Sequence, residues 1–206
     1  MTSDFHFYEP RHGHRLAHNP FYAIMGPRMI GWIATRSKEG VDNLAPYSFF
    51  GAYSADPPMI GFTSEGWKDS VDNVRSTGEF SWNLVSRDLA QAMNLTSQSV
   101  PAEMDEFELA GIQKSECRVI SASRVEDSPV TFECRLSELS QLRSSSGTSL
   151  DQWLVLGEVV GVHVRKNFLE HGVYQTAKAR PILRGGGKAE YFEISSALRF
   201  EMSRPE

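Results

Sequence analysis

Apolar runs and alternating positions along the chain predict strands more often than helices. Residues 29–35 (MIGWIAT) are apolar and β-branched with turn-forming neighbours, which predicts a buried strand. Residues 131–142 and 152–165 alternate over lengths typical of long strands, and the segment 143–149 (RSSSGTS) predicts the flexible loop between them. Shorter strands are predicted at 41–53, 59–63 and 79–85.

Turn and helix signals separate these strands. The segment Ser37–Gly40 (SKEG) predicts a hairpin turn, and DPP at 56–58 predicts another. Pro46 cannot donate a ladder hydrogen bond, so we expect the strand 41–53 to be irregular there. Short helices are predicted at 70–76, with Asp69 as its cap and Gly78 as its stop, at 87–97, and at 105–110. Because strands and helices do not alternate regularly, the pattern favours a mainly β (β-rich α+β) antiparallel barrel with decorating helices over a doubly wound parallel sheet.

Length and composition restrict the class of protein further. A chain of 206 residues suits one domain, and we assign residues 1–20 to an N-terminal arm and 21–206 to a single domain. The net charge of −5 argues against binding to nucleic acid or to an anionic membrane surface. Two isolated cysteines and a start without a basic flank and apolar core predict a cytoplasmic protein without a signal peptide.

The segment TSEGWKDS at 63–70 is the first candidate binding site. Lys68 is a cation at the predicted start of a helix, where unpaired N–H groups and the helix dipole favour an anion. Together with the hydroxyls of Thr63, Ser64 and Ser70, it would form a phosphate site. Taken alone, the segment fits an ordinary surface lysine and helix cap better.

The segment NLAPYSFF at 43–50 is the second candidate. Pro46 frees strand backbone groups beside Tyr47 and Ser48, and these could bind the edge of a planar heteroaromatic ring. A kinked edge strand explains the same residues more simply.

Other features carry less weight. Histidines 6, 12, 14 and 18 have no cysteine or carboxylate pattern at ligand spacing, so we expect a solvated arm and no metal site. His163 could reach the site or pack in a core or interface, and Trp67 could cover a ligand or only pack a loop. Neither cysteine has an activating neighbourhood, and no G-x-G-x-x-G follows a strand, so no Rossmann site is expected.

The ordered set of these segments resembles a known family. PRMIGWIAT is followed by DNLAPYSFFGAYSADPPMIGF, KDSVDNVRSTGEFSWNLV, DEFELAGI and SPVTFECRL. This order is similar to the flavin reductase-like family of FMN-binding split barrels, from about residue 27 to 161, with a weaker likeness at 180–191. No single segment is specific to this family, but the combination of all of them in this order is.

The resemblance implies a split β-barrel that forms a homodimer with flavin near the interface. It implies FMN ahead of FAD as cofactor, and NAD(P)H as a transient substrate that reduces flavin or a small electron acceptor. The cofactor-binding residues it implies are Asn43, Ala45, Pro46, Tyr47, Ser48, Thr63, Ser64, Lys68, Asp69, Ser70 and Arg184. Asp69 is expected to cap the helix or orient Lys68, and no catalytic side chain is assigned.

Two alternatives remain open at this point. The same motifs would serve a flavin-binding protein without turnover, either an electron carrier or a flavin store. A retained barrel could also bind another phosphorylated or planar ligand, because fold does not determine function.

Overall fold

The computed structural model describes residues 4–205, and most of its regular structure is antiparallel strand. The strands are β1 (Arg28–Met29), β2 (Gly31–Arg36), β3 (Asp42–Tyr47), β4 (Phe50–Ala55), β5 (Pro58–Glu65), β6 (Glu79–Asn83), β7 (Lys114–Glu116), β8 (Ser123–Val125), β9 (Val130–Arg143), β10 (Ser149–Val164), β11 (Leu169–Glu170), β12 (Val173–Tyr174), β13 (Ile182–Arg184) and β14 (Tyr191–Glu193). The α-helices are α1 (Phe21–Ile24), α2 (Asp69–Thr77), α3 (Ala90–Leu95) and α4 (Glu106–Leu109). Turns of 3-10 helix lie at Pro10–His12, Arg87–Leu89, Lys166–Phe168, Thr176–Ala179 and Ser196–Leu198.

Seven strands form the main sheet, in the order β3-β2-β6-β9-β10-β5-β4. Side chains from the two ends of this order meet inside it. Tyr47 of β3 lies 4.6 Å from Phe62 of β5, and Phe50 of β4 stacks at 5.3 Å on Trp82 of β6, both distances between ring centroids. Because its ends approach each other, the sheet curls into a barrel. The predicted mainly β class, a split antiparallel barrel with short helices, is confirmed.

The apolar run of the first strand is buried on both faces. Ile33 of β2 packs in the barrel core with Phe62, Phe80 and Val155. The neighbouring Trp32 faces a second cluster, outside the barrel, that includes residues of α3 and α4. This second core holds α4 beside the edge strand β3, and so it positions one side of the site described below.

The predicted irregularity at Pro46 is wrong. Strand β3 continues through Pro46, which lies opposite Trp32 of β2, and the strand ends one residue later. The break lies instead at Ser48 and Phe49, between β3 and β4. Proline is tolerated because β3 is an edge strand, where one side of the backbone has no strand partner.

The predicted helices exist, but their ends differ. Lys68, not Asp69, is the N-cap of α2, and Asp69 is the first helical residue. The predicted stop is confirmed, since Gly78 adopts a φ of 75°. The helix predicted at 87–97 splits into a 3-10 turn and α3, which leaves Leu95 43 % exposed while Met93 is buried.

Residues 4–20 contain only the 3-10 turn at Pro10–His12 and are mostly exposed, whereas residues 1–3 of the predicted arm lie outside the described residues. In the part of the chain that the structure describes, no three His, Cys, Asp or Glu side chains are placed to hold a metal ion. Between residues 4 and 205, no helix has the length and apolarity needed to cross a membrane.

Candidate functional site

A cleft of about 1190 Å³ brings the two candidate segments together. One wall is formed by β3 and the β3–β4 bend, and a second by the end of β5 and the start of α2. Helix α1, the residues 96–100, the facing ends of β9 and β10, and the turn after β13 also line the cleft. Ten predicted residues line the cleft: Asn43, Ala45, Pro46, Tyr47, Ser48, Thr63, Lys68, Asp69, Ser70 and Arg184.

Ser64 is the predicted site residue that does not line the cleft. Successive residues of a strand point to opposite faces, so Thr63 faces the cleft and Ser64 does not. The Ser64 hydroxyl is buried and donates to the Gly66 carbonyl, at 2.9 Å. It therefore shapes the loop that carries Lys68.

Three buried polar atoms on the cleft wall have no hydrogen-bond partner among residues 4–205. They are Asn43 Nδ2, Tyr47 Oη and Ser70 Oγ. An unpaired buried donor or hydroxyl costs about 1–3 kcal/mol, so native proteins seldom leave such groups together without a ligand or water. All three belong to residues that line the same cleft, which favours a polar ligand there.

Burial also raises the pKa of the Tyr47 phenol. The hydroxyls of Ser70 and Ser64 lie close enough to the phenol to offset part of this effect, although neither forms a hydrogen bond of good geometry with it, and the carboxylates of Asp69 and Glu106 add to the rise. The phenol therefore stays protonated at neutral pH and is available as a hydrogen-bond donor toward the cleft.

Lys68 provides a positive charge on the same wall. Its side chain is exposed and has no hydrogen-bond or ion-pair partner in the described chain. It precedes the nine-residue helix α2, whose first N–H groups have no intrahelical acceptor. Lysine and helix terminus together favour an anion there.

The predicted capping role of Asp69 is wrong. Asp69 lies in the first turn of α2 rather than at its N-cap, and it makes no ion pair with Lys68. A carboxylate in the first turn stabilises the helix through the dipole instead. Its charge also lies close enough to Glu106 to raise the pKa of that residue.

Glu106 is a cleft residue that the sequence analysis missed. It is buried at the start of α4, and its Oε2 accepts a hydrogen bond of 2.9 Å from the Leu44 N–H on the outer edge of β3. Burial raises the pKa of Glu106, and the carboxylates of Asp69 and Asp105 raise it further, against the opposing effect of the Leu44 N–H. The segment DEFELAGI belongs to the ordered motif set, but nothing in its letters shows that α4 covers β3.

Arg28 is a second missed residue on the cleft wall. Its guanidinium donates to the carbonyls of Tyr22, at 2.7 Å, and Ser48, at 3.0 Å. The guanidinium also lies over the rings of Tyr22 and Phe49, at 5.7 and 5.8 Å from their centroids. Arg28 thus ties α1 to the β3–β4 bend.

The remaining residues considered in the sequence are a tryptophan, a histidine and the two cysteines. Trp67 lines the cleft and also packs edge-on against Trp153, with ring centroids 4.5 Å apart. His163 lies away from the cleft lining, where its Nε2 is 2.5 Å from Glu133 Oε1. Burial raises the pKa of Cys117 to about 12, and that of Cys134 is raised as well, so neither thiol is activated.

Comparison with known proteins identifies the family. Residues 25–183 match the sequence model of the flavin reductase like domain. A protein of uncharacterised function from Aquifex aeolicus is 34 % identical over 171 residues, which cover 80 % of this chain and 84 % of that protein.

Solved structures with the same fold agree with this match. Nitrilotriacetate monooxygenase component B from Bacillus cereus superposes with a TM-score of 0.85 and 27 % identity, covering 98 % of this chain and 100 % of that one. A protein from Shewanella frigidimarina assigned to the flavin reductases, with a split-barrel domain, gives a TM-score of 0.78 at 21 % identity, with coverage of 89 % and 90 %. The family match spans most of the chain, so the protein belongs to the flavin reductase-like domain family.

Proposed function

We propose that the chain is an FMN-dependent oxidoreductase that uses NAD(P)H to reduce flavin or a small electron acceptor. The observation that carries this proposal is one cleft, in a member of this family, whose lining residues include three buried polar atoms and a lysine without a partner among residues 4–205. A ligand with an anionic end and several hydrogen-bonding groups would satisfy all of them.

The residues present fit FMN. Lys68, Ser70 and the N-terminus of α2 would hold its phosphate, with Thr63 beside them. One unpaired lysine and one helix terminus offer a single phosphate position on this wall, which favours FMN over FAD. Asp69 and Glu106 would repel a phosphate, so we place them beside the hydroxyls of the ribityl chain, to which carboxylates are good acceptors.

The wall formed by β3 would hold the flavin ring. Ala45 and Pro46 provide apolar surface for a planar ring, and Asn43 Nδ2 and Tyr47 Oη are donors without a partner in the described chain. When bound, FMN would supply the hydride and electron transfer, which requires no acid–base pair from the protein. The protein would bind the ring, orient it and exclude water from one face.

The relationship to the Bacillus cereus protein supports this class of activity. That protein is a component of a monooxygenase, and it aligns with nearly the whole of this chain. Its identity of 27 % is too low to transfer the substrate, so we infer only oxidoreductase chemistry with flavin.

We also infer a cytoplasmic homodimer with the flavin near its interface. Aromatic side chains at the cleft mouth support the dimer, because Phe21 and Tyr22 are almost half exposed and contact the partly exposed Phe49. An exposed aromatic cluster of this kind is typical of a surface that a partner covers. Light scattering with size-exclusion chromatography should give twice the 23.1 kDa mass of the chain.

Substitution of Tyr47 by phenylalanine tests the occupant of the cleft. Because the Tyr47 hydroxyl is buried and has no partner in the described chain, its removal should raise the unfolding free energy of the flavin-free protein by about 1 kcal/mol. The same change should weaken FMN binding by a similar amount. A variant that loses stability and keeps full FMN affinity would place the ligand elsewhere.

NAD(P)H oxidation then separates the reductase from its alternatives. The FMN-loaded protein should oxidise NADH or NADPH when excess flavin and an electron acceptor are added. A protein that retains FMN without this turnover would be a flavin carrier or store. A protein that retains no flavin but oxidises NAD(P)H when flavin is added would use flavin as a diffusing substrate, and one that neither binds flavin nor turns over would bind another planar or phosphorylated ligand.

A further inference from the structure

A glycine-rich turn on the cleft wall already holds a carboxylate. The turn runs from Arg184 to Glu190, and its residues 184–188 line the cleft. The Glu190 Oε2 atom accepts hydrogen bonds from the N–H groups of Gly186, at 3.1 Å, and Gly187, at 3.2 Å. Two successive N–H groups that converge on one oxygen form an anion-binding concavity.

This turn is held in shape before any ligand arrives. The Arg184 guanidinium donates to the carbonyls of Lys188 and Glu190, both at 2.9 Å. Gly186 lies against helix α1, where an added Cβ would be 2.2 Å from the Ala23 Cα. Only glycine permits this approach, so the position of the two N–H groups is fixed by packing.

Two cations within the turn, Arg184 and Lys188, and one beside it, Arg28, have no carboxylate partner among residues 4–205. Strands β1 and β13 place Arg28 directly opposite Arg184, although like charges in that position are destabilising. Neither arginine forms an ion pair within residues 4–205, and the exposed Lys188 has no side-chain partner there either. Glu190 supplies one negative charge, and it is itself exposed.

We propose that this turn, together with Arg28 and Lys188, binds the oxyanion of a second substrate, and that this oxyanion displaces the Glu190 carboxylate. The oxyanion is a phosphate or a carboxylate of the compound that exchanges electrons with flavin. The proposal rests on the function proposed above, in which Lys68 binds the flavin phosphate. The second anion would then bind on a different wall of the same cleft. In the absence of this substrate, the Glu190 carboxylate occupies the site and maintains its shape. It therefore competes with the incoming anion and lowers the affinity for it.

Calorimetric titration of the FMN-loaded protein tests the proposal. ADP-ribose is the phosphate probe, since it carries a pyrophosphate but no nicotinamide, and benzoate is the carboxylate probe. Lys188→Met should weaken binding of the relevant probe on the order of tenfold, the loss of one charge-assisted contact. Glu190→Gln should strengthen it several-fold, because the amide still accepts a hydrogen bond but no longer competes as a charge.

Lys38→Met is the matched control, since Lys38 lies in the Ser37–Gly40 turn outside the cleft lining. Thermal melting of each variant verifies the fold. If the two substitutions change the affinity for ADP-ribose, the natural oxyanion is a phosphate. If they change the affinity for benzoate, it is a carboxylate, and either result supports the proposal.

Two results would overturn it. Equal affinities of all variants for both probes would mean that Glu190 only shapes the turn. A loss of FMN affinity in Lys188→Met, with probe binding unchanged, would place the flavin phosphate at this turn. If wild-type protein binds no FMN, the proposed function fails by itself, and the same titrations on the flavin-free chain then decide whether the anion site exists.

Discussion

Replacement of Lys68 by methionine should weaken FMN binding without affecting the fold. The Lys68 side chain is exposed and has no partner in the described chain, so its loss breaks no contact of the flavin-free protein. A hydrogen bond to a charged group contributes about 1.5–3 kcal/mol, which corresponds to roughly a tenfold to 150-fold change in Kd. Because solvent and salt screen an exposed charge, we expect a value near the lower end.

Quenching of flavin fluorescence during titration measures this effect directly. Lys38→Met serves as control, and riboflavin serves as a ligand that lacks the phosphate. Lys68→Met should weaken FMN binding, leave riboflavin binding unchanged and reduce the dependence of the FMN Kd on salt. Equal loss for FMN and riboflavin would show that Lys68 does not contact the phosphate, and an unchanged FMN Kd would refute its placement.

Three further predictions concern stability. Since burial raises the pKa of Glu106, the folded chain keeps a proton that the unfolded chain releases, so the free energy of unfolding falls as pH rises from the ordinary glutamate pKa to the raised one. Glu106→Gln should flatten this part of the curve of unfolding free energy against pH. An unchanged curve would show that another group causes the pH dependence. Glu133 accepts hydrogen bonds from three backbone N–H groups, and Glu133→Ala would leave these donors unpaired. The substitution should lower the free energy of unfolding, measured with urea, by about 1–3 kcal/mol, and an unchanged free energy would contradict this role. A Cβ on Gly157 would lie 2.4 Å from the Phe80 ring, so Gly157→Ala should lower the free energy of unfolding by about 1–3 kcal/mol. Gly51→Ala is the control, because a Cβ there meets no atom within 4 Å, and equal melting temperatures of the two variants would contradict the prediction.

The sequence predicts the fold well because its strands carry their own signals. The apolar run of β2 and the alternation of β9 and β10 are local patterns, and the structure has strands at all three. The position of the strand break was not predictable, because the effect of Pro46 depends on whether β3 is an edge strand. Sheet order is set by long-range pairing, and no local pattern contains it.

The candidate site, like the fold, was only partly predictable from local sequence patterns. Lys68 and Tyr47, which line the cleft, were named because the ordered set of segments resembles the family, whereas the helix start and the proline-containing strand alone favoured an ordinary cap and an edge strand. Ser64 was misplaced since the phase of its strand relative to the cleft cannot be read from its neighbours. Glu106 and Arg28 were missed because their roles come from contacts with residues about 62 and 20 positions away in the chain.

The measurement that tests the central claim most directly is the absorption spectrum of the purified protein after addition of FMN and desalting. Flavin bands should remain with the protein, at close to one FMN per chain, and Lys68→Met should retain less. A folded wild-type protein that retains no flavin on the column and also binds none in the fluorescence titration would contradict the assignment of the cleft to FMN.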